Sequence, residues 1–236
     1  MHSNWSYSSV SSDEIDPNDE CISVKTLVGY KRLPIRSGAS DLFSYIDLNN
    51  SVPKHNQLLI FSQIVKAVEY MHRNHFTHGD IKEENILLSD DLKVKLCDYG
   101  HSRKRQQLPR GGFINRVAFY GTKDMTSPEL IPNLKNKNDT SLLERVSGFE
   151  CDVWALGLLL LAMISGTLSS SHKEFLANVS SGRTFTEYPA NYRDIEENDC
   201  AEVADLLKKM LNCDPNERIK MKQVIDHPWI KKASLL

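Results

Sequence analysis

Four polar residues lie close together in the sequence and could carry a reaction between them: Asp80, Lys82, Asn85 and Asp98. A carboxylate can accept a hydroxyl proton and aim the oxygen that carried it. An amide oxygen and a second carboxylate are hard donors of the kind magnesium prefers. An ammonium group can neutralise negative charge that develops in a reaction. Taken singly, each is an ordinary residue of a solvated turn. Only their joint spacing argues for chemistry.

These residues need a scaffold, and the flanking sequence predicts one. Ile60, Phe61, Ile64, Val65, Val68 and Met71 recur at three- and four-residue spacing, which predicts an amphipathic helix over Asn56–His75 just before the cluster. Asn85–Leu88 and Lys93–Cys97, with Asp90–Asp91 between them, predict a small hairpin carrying Asn85 at one end and leading to Asp98 at the other. Asp41–Leu48 reads as a short helix ending at Asn49–Asn50. Further helices are predicted around 153–165, over Glu202–Leu211 and over Met221–Ile230. Residues 101–116 read as a basic loop rather than a packed element, and Asn133–Thr140 as a polar insertion. Residues 1–20 are expected to be disordered, and 21–36 to form two short strands around Gly29.

The chain has 236 residues, 40% of them hydrophobic, and a net charge of −2, which gives no electrostatic argument for nucleic acid or membrane binding. Five cysteines without a C-x-x-C pair suit a reducing compartment, and the acidic N-terminus is unlike a secretory signal. The longest apolar stretch, Val153–Ile164, is shorter than the ~20 residues a bilayer demands and reads as a buried helix. The expectation is a cytoplasmic or nuclear protein. His72, His75 and His78 are spaced three apart, but a zinc site would have to continue through a turn and has no evident fourth ligand.

HGDIKEENILL at His78–Leu88 and KLCDYG at Lys95–Gly100 resemble the catalytic loop H-R-D-x-K-x-x-N and the metal motif D-F-G of eukaryotic serine/threonine protein kinases. Asp80 precedes Asp98 by eighteen residues, the family's usual separation. GTKDMTSPEL (Gly121–Leu130), DVWALG (Asp152–Gly157) and Arg218 then follow in the family's order. The resemblance runs from about Asp41 to Ile230. It implies an α+β fold with a mainly helical C-lobe (41–236), the small catalytic-loop hairpin and only a remnant of the N-lobe sheet and hinge at 21–40. It also implies ATP and Mg2+ as cofactors and a protein substrate, and it allows a regulatory protein partner. By the same resemblance Asp80 is the catalytic carboxylate, Lys82 stands by the phosphoryl group, and Thr122 ties the substrate-binding loop to Asp80. Asn85 and Asp98 hold the metal, Asp41 and Glu84 meet basic substrate residues, and Glu129, Asp152 and Arg218 are structural.

The departures from the family lie mostly before Asp80. No G-x-G occurs there, and Lys25 is too close to Asp41 to be the N-lobe lysine with its helix and two strands still to follow. The expectation is that the first three strands and most of the control helix are absent. Gly79 replaces an arginine that in many kinases grips an activation-loop phosphate, Tyr99 replaces phenylalanine, and about eleven extra residues surround Asn133–Leu143. Three readings follow: an active kinase with unusual phosphate binding, an inactive kinase-like binding module, or a truncated gene product.

Overall fold

The helix before the catalytic cluster forms because its apolar residues share one face. In the computed structural model, which describes residues 40–107, 113–114, 122–131, 146–166, 170–185, 188–198 and 200–235, Ile60, Phe61, Ile64, Val65, Val68 and Met71 are all buried. The expectations for residues 1–20, the strands and hinge of 21–39 and the Asn133–Leu143 insertion lie outside the described residues. A short helix, α1 (Leu42–Asn49), precedes the long one, α2 (Lys54–Arg73). The Asp41 carboxylate starts α1 by accepting the Ser44 amide at 2.6 Å. Asn50, at φ 62°, ends it.

The core is organised around α3 (Gly148–Ser165), which begins five residues before the expected start. Its run from Asp152 to Met163 is buried without interruption, because α2 covers one side and the later helix α6 (Ala201–Met210) covers another. Length and composition alone would suit this helix to a membrane, yet its apolar surface is spent inside the protein. Its last turn abuts the end of α1: Val52 donates its amide to the Met163 carbonyl at 2.7 Å. Gly166 closes the helix at φ 85°, where a Cβ would lie 1.9 Å from the Asn50 carbonyl oxygen, so glycine alone fits.

Among the described residues, three small sheets flank the helices. β1 (Ser40–Asp41), β3 (Ile86–Leu88) and β4 (Val94–Leu96) form an antiparallel set in the order β1-β3-β4. The expected hairpin is β3–β4, in register Ile86↔Leu96 and Leu88↔Val94, and β1 is an addition the sequence did not signal. Residues 101–116 are not a plain loop. β2 (Phe76–Thr77) pairs with β5 (Arg103–Lys104), and β6 (Gln106–Gln107) pairs with β7 (Phe113–Ile114). Their basic character does not prevent this, since successive side chains leave opposite faces of a strand and the backbone pairs regardless. The Lys104 ammonium lies 5.8 Å from the centre of the Phe76 ring.

The expected helix over Met221–Ile230 is two: α7 (Met221–Ile225) and α8 (Pro228–Lys231). Pro228 has no amide to continue a helix and pushes His227 into an extended conformation, ψ 138°, from which its ring caps α8. Two helices the sequence did not signal, α4 (Ser170–Ser180) and α5 (Tyr192–Asn198), bury Phe175, Leu176, Tyr192 and Ile195. Their apolar positions are few, and in α5 only Tyr192 and Ile195 are apolar. The mainly helical lobe with a small hairpin is the fold class expected.

Candidate active site

The segment His78–Lys82 leaves β2 with no regular structure of its own before the single turn Glu83–Asn85, so its shape comes from α3. One oxygen of the buried Asp152 carboxylate accepts the His78 amide at 2.8 Å and His72 Nε2 at 2.9 Å, and the other accepts the Gly79 amide at 2.9 Å. Gly79 sits at φ 80°, with the space for a Cβ closed by the His101 carbonyl oxygen at 2.7 Å. A backbone bent this way admits glycine without strain. The His78 ring reaches across to the Cys97 carbonyl at 3.0 Å, to which Nε2 must donate. Nδ1 is then the acceptor for the Asp80 amide at 3.3 Å. Burial lowers the His78 pKa, and the carboxylates of Asp152 and Asp80 oppose that only in part, so the neutral ring this pattern needs is favoured.

Asp80 is gripped on both oxygens. Oδ1 accepts the Thr122 amide at 2.7 Å and its hydroxyl at 2.9 Å. Oδ2 accepts Asn85 Nδ2 at 3.0 Å and faces Lys82 Nζ at 3.2 Å. Lys82 also donates to Thr122 Oγ1 at 2.9 Å, closing a ring of three side chains. Burial pushes the Asp80 carboxyl up, but the Thr122 amide and hydroxyl and the Lys82 ammonium outweigh it and hold the pKa below its ordinary value. The group is an aimed, ionised acceptor.

Asn85 Nδ2 also donates to the Asp80 carbonyl at 2.8 Å, so its amide nitrogen is committed and Oδ1 is the atom left for a cation. Asn85 is tied to the far strand by its own carbonyl, which accepts the Cys97 amide at 2.9 Å. That bond places Asp98 at the mouth of the hairpin, where its carboxylate is exposed and its backbone is left-handed at φ 58°. The amide oxygen of Asn85 and the carboxylate of Asp98 are the two hard donors a magnesium ion would need from this protein, and their chemistry fits it. The three histidines do not converge on a metal, since His72 is committed to Asp152 and His78 to Cys97. No cluster of three or more His, Cys, Asp or Glu suited to a metal occurs among the described residues.

The structural residues are further out. Arg218, 1% exposed, makes a two-pronged bond to Glu129 at 2.7 and 2.9 Å and lies 5.0 Å over the Trp154 ring. Glu129 closes the segment that begins at Thr122. Asp41 and Glu84 come from adjoining elements, because the turn Glu83–Asn85 packs on α1 and β1. Glu84 is exposed, whereas one oxygen of Asp41 is already used to cap α1. Sequence reasoning missed the part played by His72, and it gave His78 no role beyond opening the HGD motif and the zinc spacing. The pairing of a ring with a carbonyl nineteen residues away leaves no local signal.

Residues 35–230 match the family described as the protein kinase domain. The chain is 31% identical over 201 residues to the meiosis-specific serine/threonine-protein kinase mek1 of Schizosaccharomyces pombe, across 82% of this chain and 41% of that protein. It is 28% identical over 197 residues to the maternal embryonic leucine zipper kinase of Danio rerio, across 82% of this chain and 26% of that protein. It is 31% identical over 185 residues to ribosomal protein S6 kinase alpha-1 of Rattus norvegicus, across 73% of this chain and 22% of that protein. The chain thus spans less than half the length of these relatives.

Proposed function

The chain belongs to the serine/threonine protein kinase family, and we propose that it transfers the γ-phosphate of ATP to serine or threonine hydroxyls of protein substrates. The observation that carries the reading is the ionised Asp80 carboxylate, held by Thr122, Lys82 and Asn85 at 2.7–3.2 Å. Magnesium–ATP supplies the phosphoryl group and the metal charge when bound. Asn85 and Asp98 offer the metal its protein ligands. Asp80 receives the hydroxyl proton of the acceptor and orients its oxygen. Lys82 balances negative charge at the same point while keeping Thr122 on Asp80. Residues 41–236 form the catalytic lobe on this reading, and 21–40 lead into it.

Glu84 and Asp41 supply negative charge beside the catalytic loop, which favours acceptors with arginine a few residues before the serine or threonine. A reducing cytoplasmic or nuclear setting is supported by the free thiols of Cys97, Cys151, Cys200 and Cys213. The test is a radiolabelled phosphate-transfer assay with Asp80→Asn and Asp98→Asn. Each should lower transfer by ~10²–10⁴-fold. Asp98→Asn should also weaken magnesium-dependent ATP binding in a thermal-shift measurement, and Asp80→Asn should not. A wild-type chain that transfers no phosphate, while both variants keep full partner binding, would establish a binding module instead.

A further inference from the structure

We propose that His172 and Tyr188 are positioning residues for the acceptor side of the site, bracing the segment from which Thr122 grips Asp80. The proposal rests on the kinase reading above. His172 is the third residue of α4, and its side chain is buried. Its Nε2 lies 2.6 Å from the backbone oxygen of Asp124, and its Nδ1 lies 2.9 Å from the Tyr188 hydroxyl. Asp124 belongs to the single turn Lys123–Met125 directly after Thr122.

One arrangement of protons satisfies this chain of bonds. A carbonyl has no proton to give, so Nε2 must carry the hydrogen and donate it. In the neutral ring Nδ1 can then only accept, and the Tyr188 O–H must donate. Burial lowers the pKa of His172 and raises that of Tyr188, which keeps both groups in the forms required. The brace is directional.

Its far end is anchored in the core. The Tyr188 ring meets Trp154 edge-on at 5.8 Å and Phe175 at 5.1 Å, and Trp154 and Phe175 stack at 5.9 Å. Trp154 is two residues beyond Asp152 on α3. The same helix therefore holds the catalytic loop through Asp152 and the acceptor segment through Trp154, Tyr188 and His172. Thr122 is where the two arms meet. The metal donors Asn85 and Asp98 are on neither Asp124 nor α4. Loss of the brace should loosen acceptor binding and leave nucleotide binding alone.

The decisive variants are His172→Leu, His172→Gln, His172→Asn and Tyr188→Phe in the full chain. The glutamine amide reaches the position of Nε2 and keeps the bond to Asp124, whereas asparagine stops at the position of Nδ1. Hydrogen exchange of the Thr122–Ile131 segment should quicken about tenfold in His172→Leu and His172→Asn, as expected for a lost bond to a buried carbonyl. His172→Gln should stay within about threefold, and Tyr188→Phe should fall between. With a serine peptide carrying upstream arginine, His172→Leu should raise the peptide KM about tenfold and change the ATP KM less than about twofold.

Unchanged exchange in that segment of His172→Leu would overturn the proposal. So would equal loosening of His78–Asn85 and α3, since that marks general destabilisation, or rescue by asparagine as full as rescue by glutamine. If the wild-type chain transfers no phosphate, the exchange pattern still decides the brace, and the kinase reading falls separately.

Discussion

Replacing Arg218 by methionine removes a guanidinium that is 1% exposed and keeps most of the aliphatic volume packed beside it. The guanidinium donates twice to Glu129 at 2.7 and 2.9 Å, to the Glu150 carbonyl at 2.8 Å and, through Nε, to the Asn212 carbonyl at 2.9 Å. After the substitution a carboxylate only 11% exposed and two carbonyls have lost their donor. Breaking one side of a buried pair costs ~3–5 kcal/mol, against a total stability of ~5–15 kcal/mol for a domain. With a urea slope of ~2–3 kcal/mol/M the unfolding midpoint should fall by about 1–2.5 M. Glu129→Leu should fall comparably, because it strands the charge on the other side. The double variant Glu129→Leu/Arg218→Met carries neither charge, so its loss should lie at least ~2 kcal/mol below the sum of the two single losses. The assay is urea unfolding followed by tryptophan fluorescence and circular dichroism, with coincident transitions. Strictly additive losses, or single losses under ~1 kcal/mol, would refute the view that the pair is a charged clamp.

Thr122→Val keeps the amide bond to Asp80 but removes the hydroxyl that joins Asp80 to Lys82. Two charge-assisted bonds are lost, so kcat/KM should fall ~10–100-fold in steady-state kinetics and return with Thr122→Ser. Burial raises Glu83 to about 6 from 4.5. The folded state therefore holds that proton more tightly than the unfolded chain, and Glu83 weakens the fold progressively as pH rises from 4.5 through 6. Glu83→Gln should thus gain up to ~2 kcal/mol near pH 7.5 and nothing near pH 4 in paired unfolding curves. Gly79→Arg would restore the family's phosphate-gripping side chain, but at φ 80° and against the His101 carbonyl it should cost at least ~1–2 kcal/mol. A melting temperature equal to wild type would contradict the strained geometry.

The candidate site residues were legible because they lie in short motifs. Asp80, Lys82, Asn85 and Thr122 converge as the family resemblance implied, and the α2 stripe was legible because 3.6-residue periodicity survives into a buried face. What escaped depends on partners remote in sequence. β1 is two residues whose only strand-like property is the edge of β3 beside them. Of the strands within 101–116, β5 is set by backbone pairing with Phe76–Thr77, and β6 and β7 by pairing with each other. The single helix expected over Met221–Ile230 is broken by Pro228, which has no N–H to continue it. His172 and Tyr188 have no motif, and only the docking of α4 beside Lys123–Met125 gives them meaning.

The placement of α3 bears on how activity is lost as the protein opens. A helix buried along twelve successive residues, Asp152–Met163, has no face from which it can peel away alone. Its amides should exchange only through global unfolding, while surface turns exchange through local opening. Because Asp152 and Trp154 belong to that helix, the parts of the site they hold share its cooperativity. A denaturant that has not yet melted α3 leaves the catalytic loop in register, and one that melts it releases both arms together. The geometry of the candidate site is tied in this way to the most slowly opening unit of the fold.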